Sequence, residues 1–338
     1  MSGTDPPPVR AVTRDDVARL AGVSSAVVSY VVNDGPRPVA EATRSRVLAA
    51  IEKLGYRPNA AARTLITGRS DLIGLIVPDL RNPYFAALAQ AAETAARARS
   101  VNLVLAQGET GHIERLVESL SSHQAAGIIS STIPEPAALA VLARSRIPLV
   151  QLSIQVPSAG PAVWPDYRAG ARAAVRHLVE VHGHRRVALV IGTDHPDRDD
   201  EPIDGRESGW RDALGEAGLT TQHLIRVRWS AEGGVAAAAR LATDHREATA
   251  VFTSSDQQAI GLIAGLQDTG RTIPGDLALA SFDGSPEAAY TVPPLTTVSV
   301  PLAAMAADAV AEILERTARS HQHPTTLVLR RSCGCPTE

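Results

Sequence analysis

Cysteine is almost missing from this chain. Two residues in 338, Cys333 and Cys335, exclude a disulfide-stapled scaffold and suit a reducing compartment. Phe, Trp and Tyr together make up only 3% of the residues, so each one needs a reason. No apolar run reaches the roughly 18 residues that a spanning helix requires. The first ten residues are polar and carry Pro6, Pro7 and Pro8 where an export signal would need an apolar stretch, so a cytoplasmic location without membrane contact is expected. A large charge of one sign is also lacking: the net is −3, which by itself disfavours a nucleic-acid binder. Apolar residues, at 44% against 20% charged, are plentiful enough for a sizeable core. At roughly 150 residues per domain the length allows two domains and a small third.

The distribution of charge changes that picture. Residues 1–70 hold nine Arg and one Lys against six acids, a net of +4, while the remainder holds 23 basic and 30 acidic residues, a net of −7. A small basic domain joined to a large acidic one suggests that the first part meets a polyanion and the second does something else.

Residues 13–54 read as three short helices. Thr13 can cap the first, with Asp15 and Asp16 in the turn where the helix dipole favours acids. Val17, Leu20 and Ala21 give it an apolar face, and Gly22 ends it in a tight turn. Ser24 can cap the second helix, which runs to about Asn33. The third spans about 41–54, with Val47, Leu48, Ile51 and Leu54 inward and Gly55 as its stop. Two helices joined by a three- to four-residue turn containing Gly match a helix-turn-helix. On the second helix Val28, Val31 and Val32 form an apolar stripe, and Ser25, Ala26, Ser29, Tyr30 and Asn33 form a separate stripe of small and hydrogen-bonding residues. Such a stripe lets a helix sit deep in a major groove. An ordinary solvated face would read the same way.

Asn59 can cap a short Ala-rich helix that ends at Gly68. Beyond Leu65 and Ile66 it has no apolar face, and an isolated helix of that length is marginal in water, so it should form only against a partner. From Leu72 onward strands and helices alternate. Segments 72–77, 102–106, 127–130 and 149–151 read as buried strands, with helices over 84–100 and 112–123 between them. The pattern restarts with a helix over 167–182 and strands over 186–191, 222–227, 250–253 and 277–281. This predicts two parallel α/β lobes. The last strand-like piece, 326–329, must return to one of them.

These residues resemble the LacI/GalR family of bacterial transcription regulators. Thr13–Val23 and Val28–Asn33 look like its DNA-binding head, and Leu54–Asn59 with Ala62–Leu65 like its hinge. Asp79–Phe85, Gly183–Arg186, Ser255-Asp256 and Phe282–Gly284 look like its effector-binding core. The resemblance implies an all-α helix-turn-helix head over 1–58, a hinge over 59–70, and a periplasmic-binding-protein-like α/β core over 71–338. Its first lobe would comprise about 71–160 with a C-terminal return over 296–332, its second about 165–292. The implied partners are a palindromic double-stranded operator, a second copy of the chain, and a small molecule held between the lobes. A sugar is the default effector, and a nucleoside or other polar metabolite acting as corepressor is the alternative. Implied DNA-binding residues are Thr13, Arg14, Ser24, Ser25, Ala26, Ser29, Tyr30, Asn33, Arg57, Asn59, Ala62, Arg63 and Leu65, with Leu65 in the position that wedges between central base steps. The chain departs from the family at Tyr30, where an arginine is usual, at Val27, at Ile66 and at Ser255.

Ligand in this fold sits at the carboxyl ends of the strands. Arg206 would fork onto ligand hydroxyls or a carboxylate, and Asp283 would accept two hydroxyl bonds. Asp256 follows a strand, or else caps the helix starting near Gln257. Trp229 would lie against the ligand, or else pack in the core. Asn82, Tyr84 and Phe85 would wall the other lobe, with Ser255 opposite. The acidic stretch 194–204 matches no calcium loop and reads as solvated. Cys333-Gly-Cys335 reads as an exposed tail, and the histidines show no metal spacing, His182 and His184 simply flanking a helix-ending glycine. No metal and no cofactor are expected. Two rival functions fail on the residues. A solute-binding protein would want an export signal and no basic head. A dinucleotide-binding or hydrolytic α/β enzyme would want Gly-x-Gly-x-x-Gly or Gly-x-Ser-x-Gly, and neither is present.

Overall fold

The hydrogen-bond pattern of the first helix shows how local chemistry sets the architecture. In the computed structural model α1 (Arg14–Ala21) opens on a capping box. The Thr13 side chain accepts from the Asp16 amide, and the Thr13 amide donates to Asp16 Oδ2 at 3.0 Å. Gly22, at φ +66°, closes it in the left-handed conformation that favours glycine. α2 (Ser25–Val32) and α3 (Glu41–Leu54) follow. The structure describes residues 12–32, 35, 37–57, 70–109, 111–153, 159–193 and 204–336, and the contacts divide the chain into two units, 1–70 and 71–338.

The small unit packs Val17, Ala18, Ala21, Val28, Val31, Val47 and Ala50 into one core. Two inward expectations are corrected: Leu20 is 45% and Leu48 50% exposed. Ala18 and Ala50 take those places. The buried face of α1 runs through Val17, Ala18 and Ala21 and that of α3 through Val47 and Ala50, which leaves Leu20 and Leu48 at the flanks of those faces.

The large unit has two six-stranded sheets. The first runs β2-β1-β3-β4-β5-β11, all parallel, from β1 (Leu72–Val77), β2 (Asn102–Gln107), β3 (Gly127–Ser130), β4 (Leu149–Leu152), β5 (Ala162–Pro165) and β11 (His321–His323). The second runs β7-β6-β8-β9-β10-β12, from β6 (Val187–Gly192), β7 (Leu224–Val227), β8 (Ala250–Thr253), β9 (Ala278–Asp283), β10 (Thr296–Ser299) and β12 (Thr326–Val328). Only the β10–β12 pair is antiparallel. The central strands are buried end to end, as helices on both faces require: all six residues of β6 and of β9 are buried.

The C-terminal return is divided between the lobes. The Leu302–Glu315 helix packs on β3, β4 and β5, and β11 extends the first sheet. β10 and β12 instead complete the second sheet, so residues 296–299 and 326–328 belong to the second lobe rather than the first. β5 carries the first lobe on to residue 165. The helix expected over 167–182 also differs. It is α-helical over Tyr167–Arg176 and then widens into a π-turn over His177–Val181, ending at Gly183 with φ +73°.

Candidate functional site

The head presents one helix face outward. On α2, Ala26 is exposed and Ser25, Ser29 and Tyr30 are half-buried, while Val28 and Val31 are buried. Ser24, just before the helix, is exposed and its hydroxyl accepts from the Val27 amide at 3.4 Å. The Ser25 hydroxyl donates to the Asp15 carboxylate, which ties α2 to α1 and commits part of its bonding capacity. Thr13, Arg14 and Arg57 are exposed. Asn33, Asn59, Ala62, Arg63 and Leu65 lie outside the described residues.

The core holds a cavity of about 320 Å³ between the lobes. Its walls come from the carboxyl ends of the strands of both sheets. Pro78, Asp79, Asn82, Tyr84 and Phe85 follow β1, and Ser131 and Ile133 follow β3. Ser153 follows β4, and Tyr167 opens the Tyr167–Arg176 helix. Asp204 and Arg206 lie at the start of the Gly205–Glu216 helix, Trp229 after β7, Ser255 after β8, and Asp283 at the end of β9. In each sheet the strand order reverses beside the first strand of the lobe, and a doubly wound sheet places its ligand crevice there. Four of the eleven aromatic residues line this one cavity, which accounts for much of a scarce resource.

Arg206 is the electrostatic centre. It is 8% exposed, and its guanidinium lies 4.1 Å from the Tyr167 ring centroid, 5.0 Å from Phe282 and 5.3 Å from Trp229. Asp204 caps the helix by accepting from the Arg206 amide at 2.7 Å and holds Nη1 at 3.1 Å. Burial opposes the charge, but the Asp204 carboxylate beside it more than offsets this, so Arg206 stays protonated. Its Nε is buried and finds no hydrogen-bond partner among the described residues. Such an orphaned donor beside a cavity is what a ligand oxygen would satisfy. The Tyr167 hydroxyl donates to the Ser153 carbonyl at 2.8 Å, and the Tyr84 hydroxyl bonds the Ser153 side chain. Burial pushes both phenols above their usual range and keeps them neutral.

Asp283 stands at φ +118°, in a conformation that side chains rarely adopt. Burial, and then the neighbouring charge of Asp256, raise its carboxyl well above the usual range. Asp256 itself does not line the cavity. Its carboxylate accepts from the Ser281 hydroxyl, from Thr297 Oγ1 at 2.7 Å and from the Ser285 amide at 2.6 Å. It positions the loop after β9 rather than contacting a ligand, and Ser255, not Asp256, caps the following helix. An ionised Asp283 therefore costs folding energy. The unfolded chain ionises in the ordinary carboxylate range, near 3.9, and stability is lost as pH rises from there through the raised folded value. We expect Asp283→Asn to melt like the native chain at low pH and increasingly above it as pH rises. A difference in melting temperature that stays constant across pH would contradict this.

Gly192, the last residue of β6, makes room for Trp229. A Cβ there would lie 2.1 Å from the ring. Gly192→Ala should displace the indole, shift its fluorescence and weaken ligand binding about tenfold, or ~1.4 kcal/mol. Unchanged emission and affinity would show that the ring has another place to sit. The sequence reading missed Tyr167, Ser153 and Asp204. Tyr167 carried a signal as one of few aromatics at a strand-to-helix turn, whereas Asp204 was obscured by the run of acids before it.

The expectation of an exposed C-terminal tail is overturned. Cys333 is 1% exposed and Cys335 half-buried, and both sulfurs lie within 3.5 Å of His177 Nε2. The histidine spacing hid this, because residues five apart share a face only where a helix widens into a π-turn.

This geometry defines a two-lobed, ligand-holding α/β core that follows a helix-turn-helix head in one chain. The pattern of the bacterial regulatory proteins of the lacI family matches residues 13–59, and that of the periplasmic binding protein-like domain matches 175–333. The chain is 35% identical to catabolite control protein A of Priestia megaterium over 86% of its own length and 88% of the relative. It is 34% identical to the HTH-type transcriptional regulator GalR of Escherichia coli, with 96% of each covered. Among solved structures it superposes on the lac repressor dimer bound to operator and the anti-inducer ONPF with a TM-score of 0.83, at 25% identity, covering 96% and 99% of the two chains. On a CelR–cellobiose complex the score is 0.69, at 29% identity, with 95% and 99% covered. The chain belongs to the LacI/GalR family: it is a DNA-binding transcriptional regulator, not an enzyme. No helix among its described residues is long and apolar enough to cross a membrane.

Proposed function

We propose that this chain is a cytoplasmic, homodimeric repressor whose affinity for a palindromic operator is set by a sugar held in the interlobe cavity. The carrying observation is the buried Nε of Arg206, without a partner among the described residues, in a cavity that also holds the Asp283 carboxyl and the aromatic rings of Tyr84, Phe85, Tyr167 and Trp229. A fixed donor, a buried carboxyl group and apolar ring faces suit a molecule with hydroxyls on its rim and C–H groups on its faces. Cellobiose in the CelR complex and ribose in an Enterococcus faecium relative support the same class.

In the head, Ser24, Ala26, Ser29 and Tyr30 would face the groove and Thr13, Arg14 and Arg57 the phosphates. Tyr30 offers one hydroxyl and a ring face where an arginine would offer a fork, so the base it reads need not be guanine. The net +4 of residues 1–70 supplies attraction that acts over about 8 Å at physiological salt. A second copy would account for the apolar side chains of Val104 and Leu105, each 41% exposed on the edge strand β2.

The test is calorimetric titration with a panel of pentoses, hexoses and disaccharides, with nucleosides as controls. Anisotropy on palindromic DNA from the chain's own promoter is then measured with and without the ligand found. A sugar that binds and shifts operator affinity by about 5- to 150-fold supports the reading. Tight binding of a nucleoside alone, or operator binding indifferent to every ligand, would sink it.

A further inference from the structure

His177, His182, Cys333 and Cys335 converge at the far end of the Tyr167–Arg176 helix from the cavity. Each offers one ligand atom, and the four atoms lie within 4.8 Å of one another. His177 Nε2 is 3.1 Å from His182 Nε2 and 3.4 Å from Cys335 Sγ. Cys333 Sγ is 3.5 Å from His177 Nε2, and Cys335 Sγ is 3.4 Å from His182 Nε2. A zinc ion with bonds of about 2.05 Å to nitrogen and 2.3 Å to sulfur, tetrahedrally arranged, sets its ligands about 3.3 Å apart for N···N and about 3.5 Å for N···S. Four of the six donor spacings therefore match a tetrahedral S₂N₂ shell, and with no pair wider than 4.8 Å a small rotamer adjustment of the ligands would close the rest of it.

Three backbone features make the cluster. The π-turn over His177–Val181 brings residues five apart onto one face, which an ordinary α-helix would separate by about 140°. Gly334, at φ +103°, turns the chain so that its two neighbouring cysteines face the same rings. A Cβ at that position would meet the His182 ring at 3.3 Å. The 3-10 turn over Arg331–Cys333 packs on β9 and β10, and Thr296 Oγ1 donates to Cys333 Sγ at 3.1 Å, an outer partner of the kind that supports a ligating sulfur.

We propose that this cluster is a structural binding site for one zinc ion per chain, which fastens the C-terminal residues to the base of the helix whose first residue, Tyr167, lines the cavity. Zinc suits the donor set: two sulfurs and two imidazoles, tetrahedral and closed, with no position left for substrate. The ion crosslinks residues more than 150 positions apart in sequence and holds the second lobe's last turn against its first helix.

The test uses the untagged full-length protein, purified without chelator, and zinc and cobalt(II) as probes. Elemental analysis should find one zinc per chain. Cobalt exchange should yield the intense visible bands of a tetrahedral site together with sulfur-to-metal charge transfer in the near ultraviolet. Cys335→Ser and His182→Gln, each checked for native circular dichroism, should lower zinc affinity by more than about 100-fold, beyond what loss of an outer partner costs. Both should erase the charge-transfer band or weaken it. Chelation of the native protein should lower its melting temperature and leave that of the Cys335→Ser variant unmoved. Four results would overturn the proposal: no metal at micromolar zinc, octahedral cobalt spectra, zinc retained undiminished by both variants, or a Cys333–Cys335 disulfide in the protein as isolated from cells.

Discussion

Arg206→Ala should raise the dissociation constant for the effector by about 10- to 150-fold and leave operator affinity without effector unchanged. The side chain is 8% exposed, stacked 4.1 Å over the Tyr167 ring and held by Asp204 at 3.1 Å. Truncation removes a donor that has no partner among the described residues, leaves the Asp204 carboxylate without its arginine, and opens the space between three rings. Loss of a hydrogen bond from a charged donor to a ligand oxygen costs ~1.5–3 kcal/mol, which is roughly 10- to 150-fold in affinity. Because coupling is reciprocal, the effector concentration that half-shifts operator binding should move by the same factor. Arg206→Lys should fall between, since an ammonium keeps the charge but loses the planar fork. Calorimetry on the two variants decides the matter. An unchanged effector affinity in Arg206→Ala would remove this residue from the site, and a lost operator affinity would mean that it serves the fold instead.

One residue along, Glu207→Ala should cost about 3–5 kcal/mol of stability. Glu207 is fully buried and accepts from two arginines, Arg211 Nη2 at 2.7 Å and Arg226 Nη1 at 3.2 Å. The Arg226 side chain is only 15% exposed, so removing the carboxylate strands a cation where water reaches it poorly. In a unit of this size the melting temperature should fall by roughly 10 °C. Exchanging both partners, as Glu207→Met with Arg226→Met, should recover much of the loss, because the apolar pair leaves no uncompensated charge. Thermal melts of the single and double variants measure both effects. A fall of less than about 2 °C in Glu207→Ala would mean that the surrounding backbone or water already satisfies Arg226.

The two variants affect different properties although their positions adjoin. Arg206 faces the cavity and Glu207 the lobe interior, because consecutive residues on a helix point about 100° apart. A helix that begins at the cavity thus carries a binding residue and a stabilising residue in its first turn, both positioned by the Asp204 cap.

Much of this was legible from composition and pattern. The Thr13 cap and the turn at Gly22 are short-range devices, and the structure shows both. The strands at 72–77, 127–130 and 250–253 match residue for residue, because uninterrupted apolar runs between turn residues have few alternatives. Asn82, Tyr84, Phe85, Arg206, Trp229, Ser255 and Asp283 all line the cavity, and all but Arg206 lie at a strand end or within eight residues of one, where a parallel sheet puts its loops. The failures are equally specific. Leu20 and Leu48 have the periodicity of core residues, but the faces that the helices turn to one another are centred on their neighbours Val17, Ala18, Ala21, Val47 and Ala50, and which face turns inward depends on the long-range arrangement of three helices. Asp256 has the address of a ligand contact, but its carboxylate is consumed by Ser281, Thr297 and Ser285.

The scarcity of cysteine and aromatic residues marks the boundary between what the two kinds of information determine. By itself the sequence excluded a disulfide scaffold, divided a net charge of −3 into a basic head and an acidic body, and set two α/β lobes after three helices. These are local or summed properties, and they need no knowledge of which distant residues meet. Only the tertiary structure decided that four of eleven aromatics gather around Arg206, and that β10 and β12 cross into the second lobe. The two cysteines, far from trailing in solvent, face two histidines more than 150 residues earlier. Each of those outcomes rests on long-range packing and on one unpatterned backbone event: a strand that switches sheets, a π-turn, a glycine at positive φ. None of these leaves a period in the sequence.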